Sequence, residues 1–216
     1  MTDQELKQHV QSALDWEPSV DASDIGVSVD QSVVTLRGNV RSYAEKMTAE
    51  RVALRLYGVK AVANDIAVHL MSAFERTDTE IAQAAVAALK WSTLVPDDRV
   101  TVTVTKGWLA LNGAVDWQYQ KDAAARAVRD LNGVKAVSND ITVKPQVKTV
   151  DVRDKIEAAF KRSAGIDARR VNVTAQEGKV ILSGNVHSWA ERREAEHVAW
   201  AAPGVTQVDD RLTIVP

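Results

Sequence analysis

The sequence predicts an α+β protein of three tandem αββαβ modules, each a three-stranded mixed sheet with two helices on one face. The first observation is an internal repeat, because one Gly-x-Val motif recurs at spacings of 75 (113 − 38) and 71 (184 − 113) residues. The same offsets align a later Gly-Val pair. The motifs are Gly38-Asn39-Val40, Gly113-Ala114-Val115 and Gly184-Asn185-Val186, followed by Gly58-Val59, Gly133-Val134 and Gly204-Val205. We interpret all six glycines as structural turns.

The second observation is that the hydrophobic pattern changes period in the same order in every repeat. A helical pattern opens each repeat, with Leu6, Val10 and Leu14 on one face in the first. Alternating runs follow, Ile25/Val27/Val29 and then Val34/Leu36, and indicate a hairpin with one buried face. These patterns place the domains at 1–70, 77–145 and 148–216. The short segments between them predict modules that touch.

Helix starts in the sequence carry capping boxes, in which a hydroxyl and a carboxylate satisfy free backbone N–H groups. They open the first helix at Thr2/Glu5 and Thr77/Glu80, and the second at Ser42/Glu45 and Ser188/Glu191. We expect the Gly-Val pair to stop the second helix, since glycine accepts a left-handed conformation. A strand then returns through a right-handed crossover, which makes the sheet mixed and leaves its other face open.

This order, with Val62-Ala63-Asn64-Asp65-Ile66 and Val137-Ser138-Asn139-Asp140-Ile141 in the last strand, resembles the BON domain, a bacterial osmotic-stress and nodulation module. The third repeat departs from it, having Asp209-Asp210 in place of the asparagine motif. The resemblance implies a non-catalytic, stress-related module, often described as phospholipid-binding and often periplasmic. Family membership alone identifies no ligand.

Composition excludes several classes of protein. The net charge is only −2, from 27 Lys+Arg against 29 Asp+Glu, so no nucleic-acid partner is predicted. The chain has 0 cysteines, which excludes disulfides and thiolate chemistry. No segment reaches the roughly 20 apolar residues of a transmembrane helix, and the N-terminus lacks the pattern of a signal peptide. These features predict a cytoplasmic protein.

Catalytic or metal sites find no support in the sequence. The four histidines, His9, His69, His187 and His197, fall at non-equivalent repeat positions without a metal-ligand spacing. Glu45 and Glu191 are explained as helix caps, and their counterpart is Gln120. We therefore predict no enzyme activity, no catalytic residue, no metal site and no cofactor.

Aromatic residues are the first candidate binding positions. Tyr43, Trp117, Tyr119 and Trp189 stand at the start of the second helix, where surface contact and local packing are both open. Trp108 should project from the open sheet face of the second module. Trp16 and Trp91 end the first helix of their modules, and we expect them to pack against the following loop, with ligand binding as the alternative.

One loop supplies the second candidate, because its charge differs between repeats. The third repeat has Lys161, Arg162, Arg169 and Arg170 where the first has the acidic residues Asp15, Glu17, Asp21 and Asp24. Such surfaces favour self-association, a protein partner, or an anionic head group bound by the third repeat. A solvated loop is the alternative.

These observations predict a non-enzymatic bacterial stress-related binding or scaffold protein that contacts protein partners or anionic phospholipid surfaces. An alternative function is a cytoplasmic small-ion or metabolite sensor whose three modules rearrange when a site between them fills. Backbone carbonyls at the glycine turns would then coordinate a hard cation.

Overall fold

The structure, a computed structural model, describes residues 1–144, 151–163 and 165–215. The first module consists of α1 (Asp3–Asp15), β1 (Ile25–Asp30), β2 (Val33–Val40), α2 (Tyr43–Leu54) and β3 (Ala61–Val68). The αββαβ order predicted from the repeat is confirmed. In the other two modules the same five elements recur, as α3 (Asp78–Trp91), β4 (Val100–Thr105), β5 (Trp108–Val115), α4 (Gln118–Val128), β6 (Ala136–Val143), and α5 (Val152–Arg162), β7 (Val171–Gln176), β8 (Lys179–Val186), α6 (Trp189–Trp200), β9 (Gln207–Ile214).

Each module has its own three-stranded sheet, with strand orders β1-β2-β3, β4-β5-β6 and β7-β8-β9. The first two strands form an antiparallel hairpin in all three modules. β2 and β8 pair in parallel with β3 and β9 through the helical crossover, so these sheets are mixed, as predicted. The first strand of each sheet, β1, β4 or β7, therefore lies at an edge.

The core of each module lies between one face of its sheet and its two helices. Leu6, Val10 and Leu14 of α1 are buried against Val34 and Leu36 of β2, and the third module uses equivalent positions. Burying these side chains is the main stabilising contribution, at roughly 1.5–3 kcal/mol each. The open face of the sheet is polar in the first and third modules, where it carries the ion pairs Arg37–Asp65 and Arg211–Asp209.

The hairpin of the first module turns through Gln31 and Ser32, which have positive φ angles of 49° and 66° although neither is glycine. The carboxylate of Asp3, in the first turn of α1, accepts hydrogen bonds from both backbone N–H groups of this turn. Asp78 does the same for Lys106 and Gly107 in the second module. The equivalent residue of the third module lies outside the described residues.

The structure confirms how the first helices begin but corrects where the second helices end. The capping boxes of Thr2/Glu5 and Thr77/Glu80 are present as predicted. The second helices, in contrast, end at Leu54, Val128 and Trp200, four or five residues before the Gly-Val pairs. Gly58, Gly133 and Gly204, each with φ of 90°, shape the turn that follows the helix and do not stop it.

The capping boxes predicted at Glu45 and Glu191 are only half formed. Ser42 and Ser188 do cap α2 and α6, by accepting from the N–H of the glutamate. The two carboxylates, however, turn away from their N-cap residues. Glu45 accepts from the N–H groups of Asp21, 2.7 Å, and Arg41, 2.9 Å. Glu191 accepts from Asp167, 3.0 Å, and His187, 2.7 Å, so each carboxylate joins the second helix to the loop after the first.

The described residues form two compact units. One comprises Met1–Ala114 with Gln120–Thr142 and holds the first module and most of the second. The other comprises Val115–Tyr119 with Val143–Pro216 and holds the third module. Among the described residues, no helix has the length and apolar character needed to cross a bilayer.

Candidate functional site

The four basic residues predicted as a candidate site in the third module are exposed. Lys161 and Arg162 form the last turn of α5, where positive charge is favourable beside the C-terminal end of the helix dipole. Arg169 and Arg170 follow on the way into β7, and all four side chains are exposed. We call these four residues the basic loop. Arg169 and Arg170 both contact Asp167, at 3.3 and 3.5 Å.

A carboxylate at the same position in modules one and three organises the loop by local hydrogen bonds. The backbone N–H of Arg169 is the main cause that lowers the pKa of Asp167, and the Arg169 and Arg170 charges act in the same direction. In the first module, the hydroxyl and N–H of Ser23 lower the pKa of Asp21, which also pairs with Arg41 at 3.1 Å. The two loops thus share a backbone arrangement and differ in net charge.

A groove of about 390 Å³ runs between α5 and the edge strand β7 in the third module. Its lining includes the buried apolar residues Phe160, Val171 and Val173 and the polar residues Asn172 and Thr174. Its rim carries Arg153, Lys161 and Arg169 against one carboxylate, Glu157. Two members of the basic loop therefore line a concave, positively charged surface.

Tyr43 lies at a contact between the first and second modules. Its phenol is half-buried and hydrogen bonds to the backbone of Val137 in β6. Burial raises the pKa of Tyr43, the nearby Glu50 charge raises it further, and the Val137 bond and Arg129 oppose the rise. The expectation that these two modules touch is confirmed, and Tyr43 belongs to the contact.

Beside Tyr43 is a second cavity, of about 250 Å³, within the first compact unit. The start of α2 forms one wall, and residues 129–134 of the second module form another. Leu70 and Phe74, from the segment joining the modules, complete the lining. The cavity combines apolar side chains with Arg41, Arg129 and Asp130, and Arg129 pairs with Asp130 at 3.4 Å.

The other aromatic candidates fall into different environments. Trp189 packs against the core of the third module, and Arg192 lies over its ring at 4.8 Å from the centroid. Its indole nitrogen is buried without a hydrogen-bond partner within the described part of the chain. Trp117 and Tyr119 are partly exposed, and Trp108 is 67% exposed on its sheet. Whether any of them binds a partner stays a prediction.

Trp16 and Trp91 contradict the expectation that they pack against the next loop. They are 88% and 90% exposed. Each follows or ends a helix whose buried residues lie three or four positions apart, Leu6, Val10 and Leu14 in α1, so the next positions project to solvent. Ligand binding, the alternative for these two equivalent tryptophans, stays a prediction.

The Gly-x-Val glycines occupy backbone positions that exclude a side chain. Gly38, Gly113 and Gly184 have φ of 135°, 136° and 118°. A Cβ at Gly38 would overlap the carbonyl oxygen of Asp24, and one at Gly184 would overlap that of Arg170. Gly113 stands in the same relation to Arg99.

Sequence reasoning missed the cross-link made by Glu45 and Glu191. The sequence of the second module could have revealed this cross-link, because both of its positions differ there. Gln120 replaces the glutamate, and Pro96 occupies the position of Asp21 and Asp167. Proline has no N–H to donate. A carboxylate oxygen directed at Pro96 would have no N–H donor, and the second module has no glutamate at position 120.

The polar residue of the last-strand motif joins that strand to the second helix. Asn64 donates to the Lys46 carbonyl at 3.3 Å and to Glu50 at 2.9 Å, joining β3 to α2. In the third module Asp210 accepts from Arg192 at 2.6 Å, so a charged pair replaces the amide contact. No group of three or more His, Asp or Glu side chains is arranged to hold a metal ion in residues 1–144, 151–163 and 165–215.

Comparison with known proteins identifies a family. The model of the BON domain matches residues 2–69, 77–145 and 148–216. The chain is 35% identical over 150 residues to osmotically-inducible protein Y of Escherichia coli (strain K12), covering 67% of this chain and 74% of that protein. It also aligns with the C-terminal domain of CdsD, a structural protein of the type III secretion system of Chlamydia trachomatis. That match has 14% identity, covers 100% of both chains, and has a TM-score of 0.28.

Proposed function

The chain belongs to the BON domain family, and from that premise we propose that it is a non-enzymatic bacterial stress-related binding protein. Its similarity to osmotically-inducible protein Y supports a role under osmotic stress. The proposed activity is contact with a protein partner or an anionic phospholipid surface. No reaction is assigned.

The basic loop of the third module is the observation that carries this proposal. Its four cationic side chains are exposed, and two of them, Lys161 and Arg169, line the adjacent groove. The equivalent loop of the first module is acidic, with Asp15, Asp21 and Asp24 exposed. A partner carrying negative charge would therefore distinguish the third module from the first.

The test is a fourfold charge reversal in the basic loop, with each residue changed to glutamate. We expect weaker self-association, partner binding or vesicle binding, with a loss that shrinks as salt rises, because exposed charges are screened over about 8 Å at physiological ionic strength. Sedimentation and binding to phosphatidylglycerol vesicles are measured across a salt series. A matched control reverses four exposed basic residues elsewhere, namely Lys7, Arg55, Lys60 and Lys90.

Self-association through the acidic loop would be restored by reversing Asp15, Asp21 and Asp24 in turn, whereas vesicle binding would not. If the basic-loop variant and the matched control bind alike at every salt concentration, the basic loop is a solvated surface and the proposal is wrong.

A small-molecule or ion sensor is the second candidate function, and the cavity beside Tyr43 favours it. A ligand seated there would touch residues from two modules at once, so filling the cavity would bias their arrangement. Thermal shift measurements with K⁺, Na⁺, Ca²⁺ and small carboxylates test this candidate, since a ligand of the folded state raises its stability. No shift with any of them would exclude these ligands.

The cytoplasmic location remains part of the proposal. Fractionation of cells expressing the natural gene tests it, with a periplasmic signal as the contradicting result.

A further inference from the structure

We propose that the groove beside β7 binds an extended acidic peptide segment, which adds to the third sheet as a fourth strand. This inference rests on the proposed function as a binding protein and names the chemistry of its partner. It follows from three features of the third module: the strand edge, the groove wall and the difference from the other two modules.

The outer edge of β7 offers backbone groups to a partner. Among the described residues, β7 pairs with β8 alone, with Val171 opposite Gly184 and Val173 opposite Leu182. The N–H of Asn185 donates to the carbonyl of Arg170, and bonded pairs alternate along an antiparallel ladder. The N–H and C=O groups of Val171, Val173 and Ala175 therefore point away from β8.

Alternating donors and acceptors favour a peptide over a simple anion. A phosphate or carboxylate would be attracted by the N–H groups but repelled by the carbonyl oxygens between them. An added strand satisfies both, because its own groups alternate with the same period. The edge is thus complementary to extended backbone.

The groove adds selection by charge. Arg153, Lys161 and Arg169 line the side of the edge covered by α5. Arg153 pairs with Glu157 and Arg169 with Asp167, whereas Lys161 has no ion-pair partner among the described residues. Side chains of an added strand alternate between the two faces of the sheet. Those on the α5 side would enter the groove, so acidic residues at alternate positions would meet this basic rim.

The equivalent edges of the other modules lack this rim. At the positions of Arg153, Glu157, Lys161 and Arg169, the first module has one cation balanced by one anion. These residues are Lys7, Gln11, Asp15 and Ser23. In the second module they are Ala82, Val86, Lys90 and Asp98. All three modules have an edge strand, but only the third combines it with an excess of basic side chains.

The experiment uses the full chain and a short synthetic peptide of alternating glutamate and threonine, about as long as β7. We expect binding by fluorescence anisotropy, with slowed amide exchange at Val171, Val173 and Ala175. Lys161→Glu with Arg169→Glu should weaken binding at least tenfold. The matched control, Lys7→Glu with Lys90→Glu, changes the equivalent positions of the other modules and should leave binding unchanged.

Two N-methylated peptides test the strand geometry directly. Methylation on the glutamates should abolish binding if the added strand is antiparallel, and methylation on the threonines should do so if it is parallel, because only one set of N–H groups faces β7. Equal binding of both methylated peptides and the parent would overturn the inference, as would protection confined to another module. An alternating glutamine and threonine peptide that binds as tightly as the parent would also overturn it.

The failures of the two proposals are distinguishable. If the peptide does not bind while the basic-loop reversal still weakens self-association or vesicle binding, this inference is wrong and the proposed function stands. If the reversal changes no association at all, the proposed function fails as well.

Discussion

The first and third modules share their internal architecture and differ at their surfaces. Both join the second helix to the preceding loop by a buried glutamate, Glu45 or Glu191, and both place a glycine against a backbone carbonyl. Their loops after the first helix nevertheless carry opposite charges. Interior positions are constrained by close packing and hydrogen bonding, whereas exposed charges contribute little to stability and are free to change.

The largest expected effect comes from the glycine that both modules share. Gly38→Val and Gly184→Val should each destabilise their own module by about 3 kcal/mol or more, since a side chain would overlap a backbone carbonyl at a positive φ. Hydrogen exchange of the affected sheet measures the loss. Gly26→Ala is the control, because its Cβ would lie 3.6 Å from its nearest neighbour, the Arg37 carbonyl oxygen, which is an ordinary van der Waals contact. Equal stability of the control and the valine variants would contradict this backbone interpretation.

A smaller effect is expected at the glutamate cross-link. Glu45→Ala and Glu191→Ala each leave two backbone N–H groups without their acceptor, at side chains only 9% and 8% exposed, and should cost about 2 kcal/mol or more. Glutamine should cost less, since it keeps one acceptor oxygen. Denaturant unfolding with module-specific exchange measures both.

The second module provides the control for this cross-link. Gln120→Glu should bring no stabilisation, because Pro96 has no N–H for the new carboxylate. A gain in stability comparable to the loss in the other modules would show that the acceptor role of the glutamate is misassigned.

The smallest effect concerns acid. The pKa values of Asp21 and Asp167 are lowered in the fold, so each carboxylate contributes stability above its unfolded pKa, about 3.9, and loses it as pH falls through the folded value. Unfolding midpoints measured from pH 6 to pH 2 should therefore drop less steeply in Asp21→Asn and Asp167→Asn. An unchanged pH profile in both variants would contradict the assignment.

Local sequence patterns predicted much of each module because they depend on near neighbours. The period of Leu6, Val10 and Leu14 and the alternation of Ile25, Val27 and Val29 are consequences of helix and strand geometry. Thr2 and Glu5 form their capping box within one helical turn. The repeat supplied the hydrophobic patterns three times and this capping box twice.

Contacts between distant positions could not be predicted in this way. Glu45 and Asp21 are 24 residues apart, and nothing near either residue indicates that the carboxylate prefers this N–H to that of Ser42. Trp16 looked like a packing residue because tryptophan is usually covered, yet the helix rotation set by Leu14 turns it to solvent.

The sequence by itself determined the number of modules, their element order and the opposite charges of two equivalent loops, since repeat spacing, hydrophobic period and charge are properties of the chain. Only the tertiary structure decided that Lys161 and Arg169 line one groove, that this groove borders the edge strand β7, and that Tyr43 contacts the second module. These relations depend on how helices lie across strands, and side chains far apart in sequence are brought together only when the core is buried.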